Sequence, residues 1–470
     1  MRKFFFSAAA VTCVAFIFSF TDNAPVKVNP GDNDSTVVAK IYNEALANGQ
    51  AYDVLSGLCQ KAPKRLSGSP GAAVAVNYMK GVMDSYGFDK VWLQPCTVPH
   101  WVRGNPESGK LIFMTGTKKT QHTVNVCALG GSQPTPDKGL QAEVVEVTTF
   151  AQLDSLGEAG VKGKFVFYNH KFNPTTISTF SAYGEDVQYR WQGATSAEKY
   201  GAVGVIVRSV TASIDTCPHT GAERSDSLAG KIPACAISTV DADYLDDQIR
   251  HGVRPEFFLK MNCQWLPDEH SFNVIGELLG SEHPEQVIVV GGHLDAWDLG
   301  TGAQDDGAGC VQSIEAVRIF KTLGIRPKHT IRCVCFMNEE NGGKGGKAYA
   351  DSAAIKKEKH IAAIESDAGG FSPRGFGLSM SQDQRREIEG WKPLLLPYGI
   401  YDFSGEGGGS DIDPLQKQGV PMIGLWPDNA RYFDYHHTEI DIMKNVNKRE
   451  LLMGAAAMSS LIYLIDKYGL

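Results

Sequence analysis

The sequence lacks the charge pattern of a nucleic-acid-binding protein. Its lysines and arginines are scattered, and no basic run is longer than a pair such as Lys356 with Lys357 or Arg385 with Arg386. The formal net charge of −8 is modest for 470 residues. Because binding to a phosphate backbone needs a basic surface, this composition argues against nucleic acid as a partner.

Long apolar runs are absent beyond the first residues. Met1 is followed by basic residues, residues 4–20 are almost wholly apolar, and a polar stretch leads to Ala24. This order is typical of a secretory signal peptide, and we place the cleavage near Ala24, which predicts a secreted or periplasmic protein. An uncleaved anchor is the alternative, since the run is close to the roughly 17-residue minimum for spanning. After cleavage we expect no membrane contact.

A regular disulfide framework is also absent. Ten cysteines include Cys13 in the signal peptide, which leaves an odd number without regular spacing. Several lie inside apolar strand-like runs, such as Cys333 and Cys335, where cysteine acts as a small hydrophobic residue rather than as a zinc ligand. One disulfide remains compatible with the sequence, which does not indicate the pair.

Short apolar runs rich in β-branched residues recur in the second half of the chain, and each ends in His, Asp or Glu. The runs and the residues that follow them are 287–290 with His293 and the paired Asp305 and Asp306, 331–337 with Glu339 and Glu340, 361–364 with Asp367, and 421–426 with His437. Such runs are typical of buried parallel strands, whose carboxyl ends meet at one edge of a sheet. The sequence therefore predicts an α/β fold with a mixed, mostly parallel sheet between layers of helices.

These polar residues predict a site for two metal ions. Imidazole and carboxylate ligands together suit a borderline cation such as zinc. A single catalytic zinc takes three protein ligands and a water, so five ligands are too many for one ion. Two ions that share one carboxylate would each keep an open position for a shared hydroxide. Either Glu339 or Glu340 then remains as the general base.

Five ordered motifs resemble those of the two-zinc exopeptidases of the bacterial aminopeptidase type, and in particular the plasma glutamate carboxypeptidase branch. The motifs are Gly-Gly-His-Leu-Asp at 291–295, Gln-Asp-Asp-Gly-Ala-Gly at 304–309, Asn-Glu-Glu-Asn-Gly-Gly at 338–343, Glu-Ser-Asp-Ala-Gly at 365–369 and His-Thr-Glu-Ile-Asp at 437–441. The likeness extends over nearly the whole chain after the signal peptide, including residues 65–71 and 405–411. It implies the zinc exopeptidase fold and its chemistry.

The resemblance implies a metal ligand at each of five positions. His293 and Asp367 would bind one zinc, Glu340 and His437 would bind the other, and Asp305 would bridge the two ions. Relatives often have a cis peptide bond after this bridging aspartate.

The resemblance also implies roles beside the metals. Glu339 would be the base that takes the proton of the water and passes it to the leaving amine. Asp295 would be the carboxylate that fixes the imidazole tautomer of His293. His436 stands where relatives often have a tyrosine that steadies the oxyanion, so it is a candidate for that role or a structural histidine.

The middle of the chain has a different sequence pattern from the rest. Residues 126–265 contain short β-rich segments, a brief helix-like run at 196–199 and no cluster of metal-binding residues. This region resembles the protease-associated domain inserted in larger members of the family, which would cover the active site; a spacer or an oligomer contact is the alternative. The division is then a signal peptide at 1–24, the first part of the peptidase domain at 25–125, the insert at 126–265 and the catalytic part at 266–470.

A glycine-rich loop at 405–409 lacks the Gly-Lys-Ser/Thr ending of a phosphate-binding loop. It is better interpreted as a substrate-facing loop, with Ser410 and Asp411 as candidates for contacting the ends of the substrate.

The predicted function is that of a secreted two-zinc exopeptidase that hydrolyses dipeptides or short peptides through a zinc-bridging hydroxide, with Glu339 as the base. An aminopeptidase acting on longer peptides, a receptor-like ectodomain of the same fold without activity, and a single-zinc acyltransferase of the glutaminyl cyclase kind are the alternatives. A homodimer is compatible with the sequence.

Overall fold

The computed structural model of the chain describes residues 27–115, 118–224 and 230–470. The predicted signal peptide at residues 1–24 lies outside these ranges. Within them, every helix is too short or too polar to cross a membrane. The nine cysteines in the described ranges are all unpaired, and eight of them are buried.

Helices and strands alternate through most of the chain. The strands are β1 (Lys90–Val102), β2 (Ser108–Thr115), β3 (Lys118–Val124), β4 (Val126–Ala128), β5 (Leu140–Val147), β6 (Phe165–Tyr168), β7 (Gly204–Arg208), β8 (Ala234–Ile237), β9 (Glu256–Lys260), β10 (Gln264–Leu278), β11 (His283–His293), β12 (His329–Phe336), β13 (Lys359–Glu365), β14 (Pro373–Ser379) and β15 (Met422–Pro427). The helices are α1 (Asp34–Asn48), α2 (Ala51–Lys61), α3 (Pro70–Ser85), α4 (Phe150–Val161), α5 (Thr179–Glu198), α6 (Thr239–Arg250), α7 (Ala308–Leu323), α8 (Lys344–Lys356), α9 (Gln382–Gly390), α10 (Lys392–Leu395), α11 (Asp413–Gln416), α12 (Tyr432–Tyr435) and α13 (Lys448–Tyr468).

The first sheet has seven strands in the order β1-β10-β12-β11-β13-β15-β14. The four strands β12, β11, β13 and β15 are parallel to one another, whereas β1, β10 and β14 pair antiparallel with their neighbours. The predicted mixed α/β fold is confirmed, and parallel pairing is confined to the centre of the sheet. The carboxyl ends of these central strands lie at one edge, as the sequence predicted.

Helices cover both faces of this sheet, which explains its uninterrupted apolar strands. Along β11, Ile288 and Val290 pack on one face with residues of α1, α2, α3, α7 and α13. Val287 and Val289 point to the opposite face and pack with residues of α8 and α11. Because successive side chains alternate between the faces, a strand buried on both sides needs apolar residues at every position.

The second sheet has eight strands in the order β3-β2-β9-β5-β6-β7-β8-β4 and carries α4, α5 and α6. It has apolar clusters of its own, around Phe165 and Phe257 on one side and Tyr168 and Val205 on the other. This sheet begins at Ser108, before the boundary predicted at residue 126. The region also contains more helix than the short run predicted at 196–199, because α5 alone spans Thr179–Glu198.

Candidate active site

The sequence-predicted ligands converge at the carboxyl edge of the first sheet. His293 ends β11, Glu340 follows β12 and Asp367 follows β13, while His437 follows the short helix α12. His293 Nε2 lies 3.2 Å from Asp305 Oδ1 and 3.5 Å from Asp367 Oδ1. His437 Nε2 lies 3.2 Å from Asp305 Oδ2 and 3.1 Å from Glu340 Oε2. Asp305 therefore presents one oxygen to each of two histidine–carboxylate pairs.

This donor set fits a pair of divalent cations of the zinc type. Asp305 Oδ2 and Asp367 Oδ1 are buried and accept no hydrogen bond. Burial, followed by the charge of Asp305, raises the pKa of Glu340 to about 8, and burial raises the pKa of Asp367 to about 6. Carboxylates crowded together away from water are unfavourable unless cations neutralise them. Bound divalent ions would reverse these pKa shifts.

Asp306 lies among the same groups but is bound differently. Its nearest carboxylate oxygen is within 4.8 Å of ligand atoms of His293 and Asp367. However, its Oδ2 accepts from the His293 backbone N–H at 3.0 Å, and its Oδ1 accepts from the Gly309 N–H at 2.8 Å. Since both oxygens already accept backbone hydrogen bonds, Asp306 joins the end of β11 to α7 and leaves Asp305 facing the metal-binding groups. The peptide bond between Asp305 and Asp306 is cis, as the resemblance implied.

Asp295 corrects one prediction. The imidazole Nδ1–H of His293 donates to the backbone carbonyl oxygen of Asp295 at 2.9 Å, and not to its carboxylate. The carboxylate Oδ1 instead accepts from the backbone N–H groups of Asn338 and Glu339, at 2.6 and 3.1 Å. Sequence spacing places Asp295 near His293, but it does not tell which oxygen of the residue reaches the imidazole. The Asp295 side chain therefore fixes the turn that carries Glu339.

Glu339 and Glu340 differ in surroundings although they are adjacent. Glu339 Oε2 lies 3.9 Å from His293 Nε2, and its side chain is 23% exposed to the cavity. Glu340 has a side-chain exposure of 2%, contacts His437 and accepts from the Trp297 backbone N–H at 3.3 Å. The buried and paired Glu340 suits a ligand, whereas the more accessible Glu339 can reach a substrate or a water.

Two further residues hold the loop that carries Asp305, and the sequence assigned neither a role. The Asp441 carboxylate accepts from the N–H groups of Gln304 and Asp305, at 2.7 and 3.2 Å. The buried Arg65 guanidinium donates to the carbonyl oxygens of Leu294 and Gly302, at 2.6 and 2.7 Å. Both lie in motifs that the resemblance quoted, so the signal was present, but only the fold shows what these side chains bind.

His436 packs flat against His437, with ring centroids 3.5 Å apart and planes inclined by 19°. Its Nε2 lies 3.8 Å from Asp305 Oδ2, and the ring lines the cavity. Burial, and then the neighbouring His437, hold the pKa of His436 well below its usual value. The imidazole is therefore neutral at physiological pH and offers one N–H to a ligand.

A cavity of about 490 Å³ opens over these groups. Its floor is the carboxyl edge of the first sheet, and its roof comes from α5 in the second region. The roof side chains are Phe180, Tyr183, Arg190 and Trp191. The two regions are directly joined, because the His437 Nδ1–H contacts the Thr220 carbonyl at 3.2 Å and the Thr220 N–H donates to the His437 carbonyl at 3.0 Å. No motif in the sequence had indicated these roof residues.

Ser410 and Asp411, the predicted substrate contacts, have different positions. Ser410 lines the main cavity and also a neighbouring cavity of about 420 Å³ beside the glycine-rich loop. Asp411 is only 1% exposed, and its backbone N–H donates to Glu365 Oε2 at 3.1 Å. Burial raises the pKa of the Asp411 carboxyl. The prediction for Asp411 is therefore wrong, because its side chain lies in the interior behind the cavity wall.

Comparison with known proteins agrees with this geometry. The family model described as "Peptidase family M28" matches residues 273–462. Human carboxypeptidase Q is 36% identical over 419 residues, covering 89% of this chain and 86% of that protein. Aminopeptidase YwaD of Bacillus subtilis is 23% identical over 88% of this chain and 84% of its own length.

Solved structures show the same fold. The peptidase M28 precursor of Shewanella amazonensis has a TM-score of 0.86 and 32% identity, over 92% of this chain and 96% of that one. The zinc aminopeptidase BSAP of Bacillus subtilis has a TM-score of 0.64 and 20% identity, over 88% and 94% of the two chains. Fold and site together define a metallo-exopeptidase. The chain belongs to peptidase family M28.

Proposed function

We propose that this protein hydrolyses dipeptides or short peptides as a zinc-dependent exopeptidase. The observation that supports this most strongly is the position of Asp305, whose two oxygens face different histidine–carboxylate pairs. In this proposal His293 and Asp367 would hold one zinc, His437 and Glu340 would hold the other, and Asp305 would be shared between the two sites. When bound, the two ions would polarise the scissile carbonyl and lower the pKa of the attacking water.

Glu339 acts as the general base. Its side chain reaches the cavity next to His293, and it lacks the close histidine partner that Glu340 has. The carboxylate takes a proton from the attacking water and transfers it to the amine of the leaving residue. The backbone N–H groups of Asn338 and Glu339 donate to the Asp295 carboxylate. These hydrogen bonds hold the turn that carries the Glu339 side chain during both proton transfers.

His436 stabilises the oxyanion. As a neutral imidazole at the cavity wall it can donate one hydrogen bond to the carbonyl oxygen as negative charge develops there. Its stacking on His437 limits the rotation of the ring, so the donor is held in position before substrate binds.

The second region acts as a protease-associated-like insert that restricts the substrate to short peptides. Its helix α5 places three aromatic side chains and Arg190 over the carboxylates of the first sheet. A cavity of about 490 Å³ is within the size range of small-ligand sites. We further propose that residues 1–24 direct secretion and that the protein binds a peptide as its substrate, with a homodimer compatible with this function.

The test is hydrolysis by the zinc-loaded protein of a dipeptide set together with N-acetylated, C-amidated and longer forms. Hydrolysis of dipeptides, and its loss after removal of zinc by a chelator, would support the proposal. Cleavage of long peptides from the amino end in preference to dipeptides would indicate an aminopeptidase instead. Failure to hydrolyse any peptide while zinc is bound would contradict the proposed function.

A further inference from the structure

The two candidate ligand histidines are held by different parts of the chain. The Nδ1–H of His293 donates to the carbonyl oxygen of Asp295 at 2.9 Å, within the loop that follows β11. His437 is instead held by Thr220, which lies between β7 and β8 in the region of the second sheet. Its Nδ1–H contacts the Thr220 carbonyl oxygen at 3.2 Å, and this contact leaves Nε2 free for a metal ion.

The backbone of His437 also depends on Thr220. The φ angle of His437 is 63°, a left-handed conformation that residues other than glycine seldom adopt and that persists where the surroundings hold it. The Thr220 N–H donates to the His437 carbonyl oxygen at 3.0 Å. Because one residue contacts both the backbone and the imidazole of His437, a displacement of Thr220 would move the ligand atom.

Arg103 joins Thr220 to the first sheet. This arginine follows β1 and is 8% exposed. Its Nη1 donates to the Ala128 carbonyl at 2.8 Å, and its Nη2 donates to the Thr220 hydroxyl at 3.3 Å. On the other side, its Nε donates to the carboxylate of Asp298, in the loop after β11, at 2.8 Å. A buried guanidinium paired in this way holds Thr220 at a fixed place relative to the edge that carries the metal-binding groups.

The residue after Thr220 is a glycine that lies against the histidine. A Cβ on Gly221 would lie 2.6 Å from His437 Nδ1 and 2.5 Å from Arg190 Cζ, closer than real side chains approach. The φ of Gly221 is also positive, at 134°. The position therefore needs glycine for both its conformation and the space beside the imidazole.

A second glycine of the same region packs on the other candidate ligand of this ion. The Gly130 N–H donates to the Gly221 carbonyl at 2.9 Å, and a Cβ on Gly130 would lie 1.8 Å from Cη2 of Trp297. The Trp297 backbone N–H donates to Glu340 at 3.3 Å. The backbone of the second region thus supports the surroundings of both His437 and Glu340.

We propose that the second region is a structural part of one metal site: Thr220, held by Arg103, positions His437 and sets the affinity of the ion that His437 and Glu340 would hold. The ion at His293 would not depend on it. This inference rests on the proposed two-zinc function and goes beyond the role of the second region as a roof. Thr220 and Arg103 are positioning residues, because they act through His437.

The experiment measures zinc affinity by competition with a chelator in two backgrounds that each keep one site. In His293→Ala, which keeps the site at His437, the further change Gly221→Ala should weaken zinc binding about 10- to 100-fold, because the methyl group displaces the imidazole from the Thr220 carbonyl. In His437→Ala, which keeps the site at His293, the same change should alter the affinity by no more than about twofold. Gly252→Ala is the matched control, since Gly252 also has a positive φ, at 78°, but open space around its Cβ. It should change neither affinity.

Thr220→Val is the second variant. It removes the hydroxyl that accepts from Arg103 and donates to the Ala128 carbonyl at 2.8 Å, but it keeps the peptide groups that contact His437. It should weaken zinc only in the His293→Ala background, and by a smaller factor than Gly221→Ala. Circular dichroism and the Tm of the metal-free proteins report folding. If Gly221→Ala does not fold, Thr220→Val decides alone.

Equal weakening of zinc in the two backgrounds, or unchanged affinity in both, would overturn the role of the second region and leave the two-zinc proposal standing. A parent protein that binds fewer than two zinc ions would contradict the proposed function itself. Selective weakening in the His293→Ala background supports the inference.

Discussion

His293 and Asp295 are joined through the backbone: the imidazole Nδ1–H donates to the carbonyl oxygen of Asp295 at 2.9 Å. This contact fixes the tautomer that leaves Nε2 free for a metal ion, and it does not depend on the Asp295 side chain. The carboxylate is directed toward the backbone at Asn338 and Glu339. One residue thus orients the His293 imidazole with its main chain and, with its side chain, the turn that carries Glu339, the proposed general base.

Replacing Asp295 by Ala should therefore lower kcat and leave zinc affinity nearly unchanged. The change leaves two buried N–H groups unpaired and releases the turn that carries Glu339, and a displacement of about 1 Å can reduce the rate roughly 100-fold. Asp295→Asn keeps the acceptor oxygen and should retain most of the rate. Zinc affinity is measured by competition with a chelator; a 10- to 100-fold loss in Asp295→Ala would show that the carboxylate orients His293 after all.

Glu339→Gln should leave the metal content unchanged, whereas Glu340→Gln should reduce it. Glu339→Gln removes the base, so we expect activity to fall by several orders of magnitude, about 10³-fold or more, with the metal content preserved. Glu340→Gln alters a ligand that contacts His437, so one ion should be lost or weakened. Metal analysis and kcat are measured on both variants. A nearly normal rate in Glu339→Gln would exclude it as the base.

His436→Phe should lower kcat by about 10²-fold without changing the metal content or KM greatly. The phenyl ring retains the stacking on His437 but removes the donor to the oxyanion. His436→Tyr restores a donor at the position where relatives often have tyrosine, and it should recover activity. If Phe and Tyr variants behave alike, His436 has a packing role only.

Asp34→Asn should lower the free energy of unfolding near neutral pH, and it should lower it less in acid. Asp34, at the start of α1, accepts from Tyr463 and Tyr468 on α13 at 2.7 and 2.6 Å, and it pairs with Lys467. Burial alone would raise the pKa of Asp34, but hydrogen bonds from Lys467, Tyr468 and Tyr463 lower it below the usual 3.8.

Because the folded state lowers this pKa, the stabilisation is fully present above the unfolded value and is lost as the pH falls through the folded one. We expect Asp34→Asn to reduce the free energy of unfolding by about 1–3 kcal/mol at pH 7 and by progressively less below pH 4. Thermal unfolding of both proteins across this range tests the sign. A deficit in Tm that stays constant into acid would contradict it.

Three of the candidate ligands could be predicted from the sequence because each follows a strand whose apolar residues mark it as buried. His293, Glu340 and Asp367 come from parallel strands whose ends must meet, so their convergence follows from the sheet. His437 follows the helix α12 rather than a strand, and it lies at the same carboxyl edge of the sheet, beside Asp305 and Glu340. At these positions the apolar pattern of the sequence and the topology of the sheet predict the same location for the side chain.

The roof could not be predicted in the same way. The buried residues of α5 are mostly small or polar and include Asp186 and Arg190, so the helix has no broad apolar stripe. Strand β3 lies at the edge of the second sheet and is polar. Its sequence therefore does not have the apolar pattern of a buried strand, and the start of that region at Ser108 was not predicted. Arg190 has no motif around it, and only the fold places it beside His437.

The central claim is that Asp305 bridges two ions, each held by one histidine and one further carboxylate. The most direct measurement is the number of zinc ions per chain in the purified, zinc-loaded protein and in two single variants. We predict two ions in the parent protein and one in each of His293→Ala and His437→Ala. A single ion in the parent protein, or two ions retained in either variant, would contradict the account.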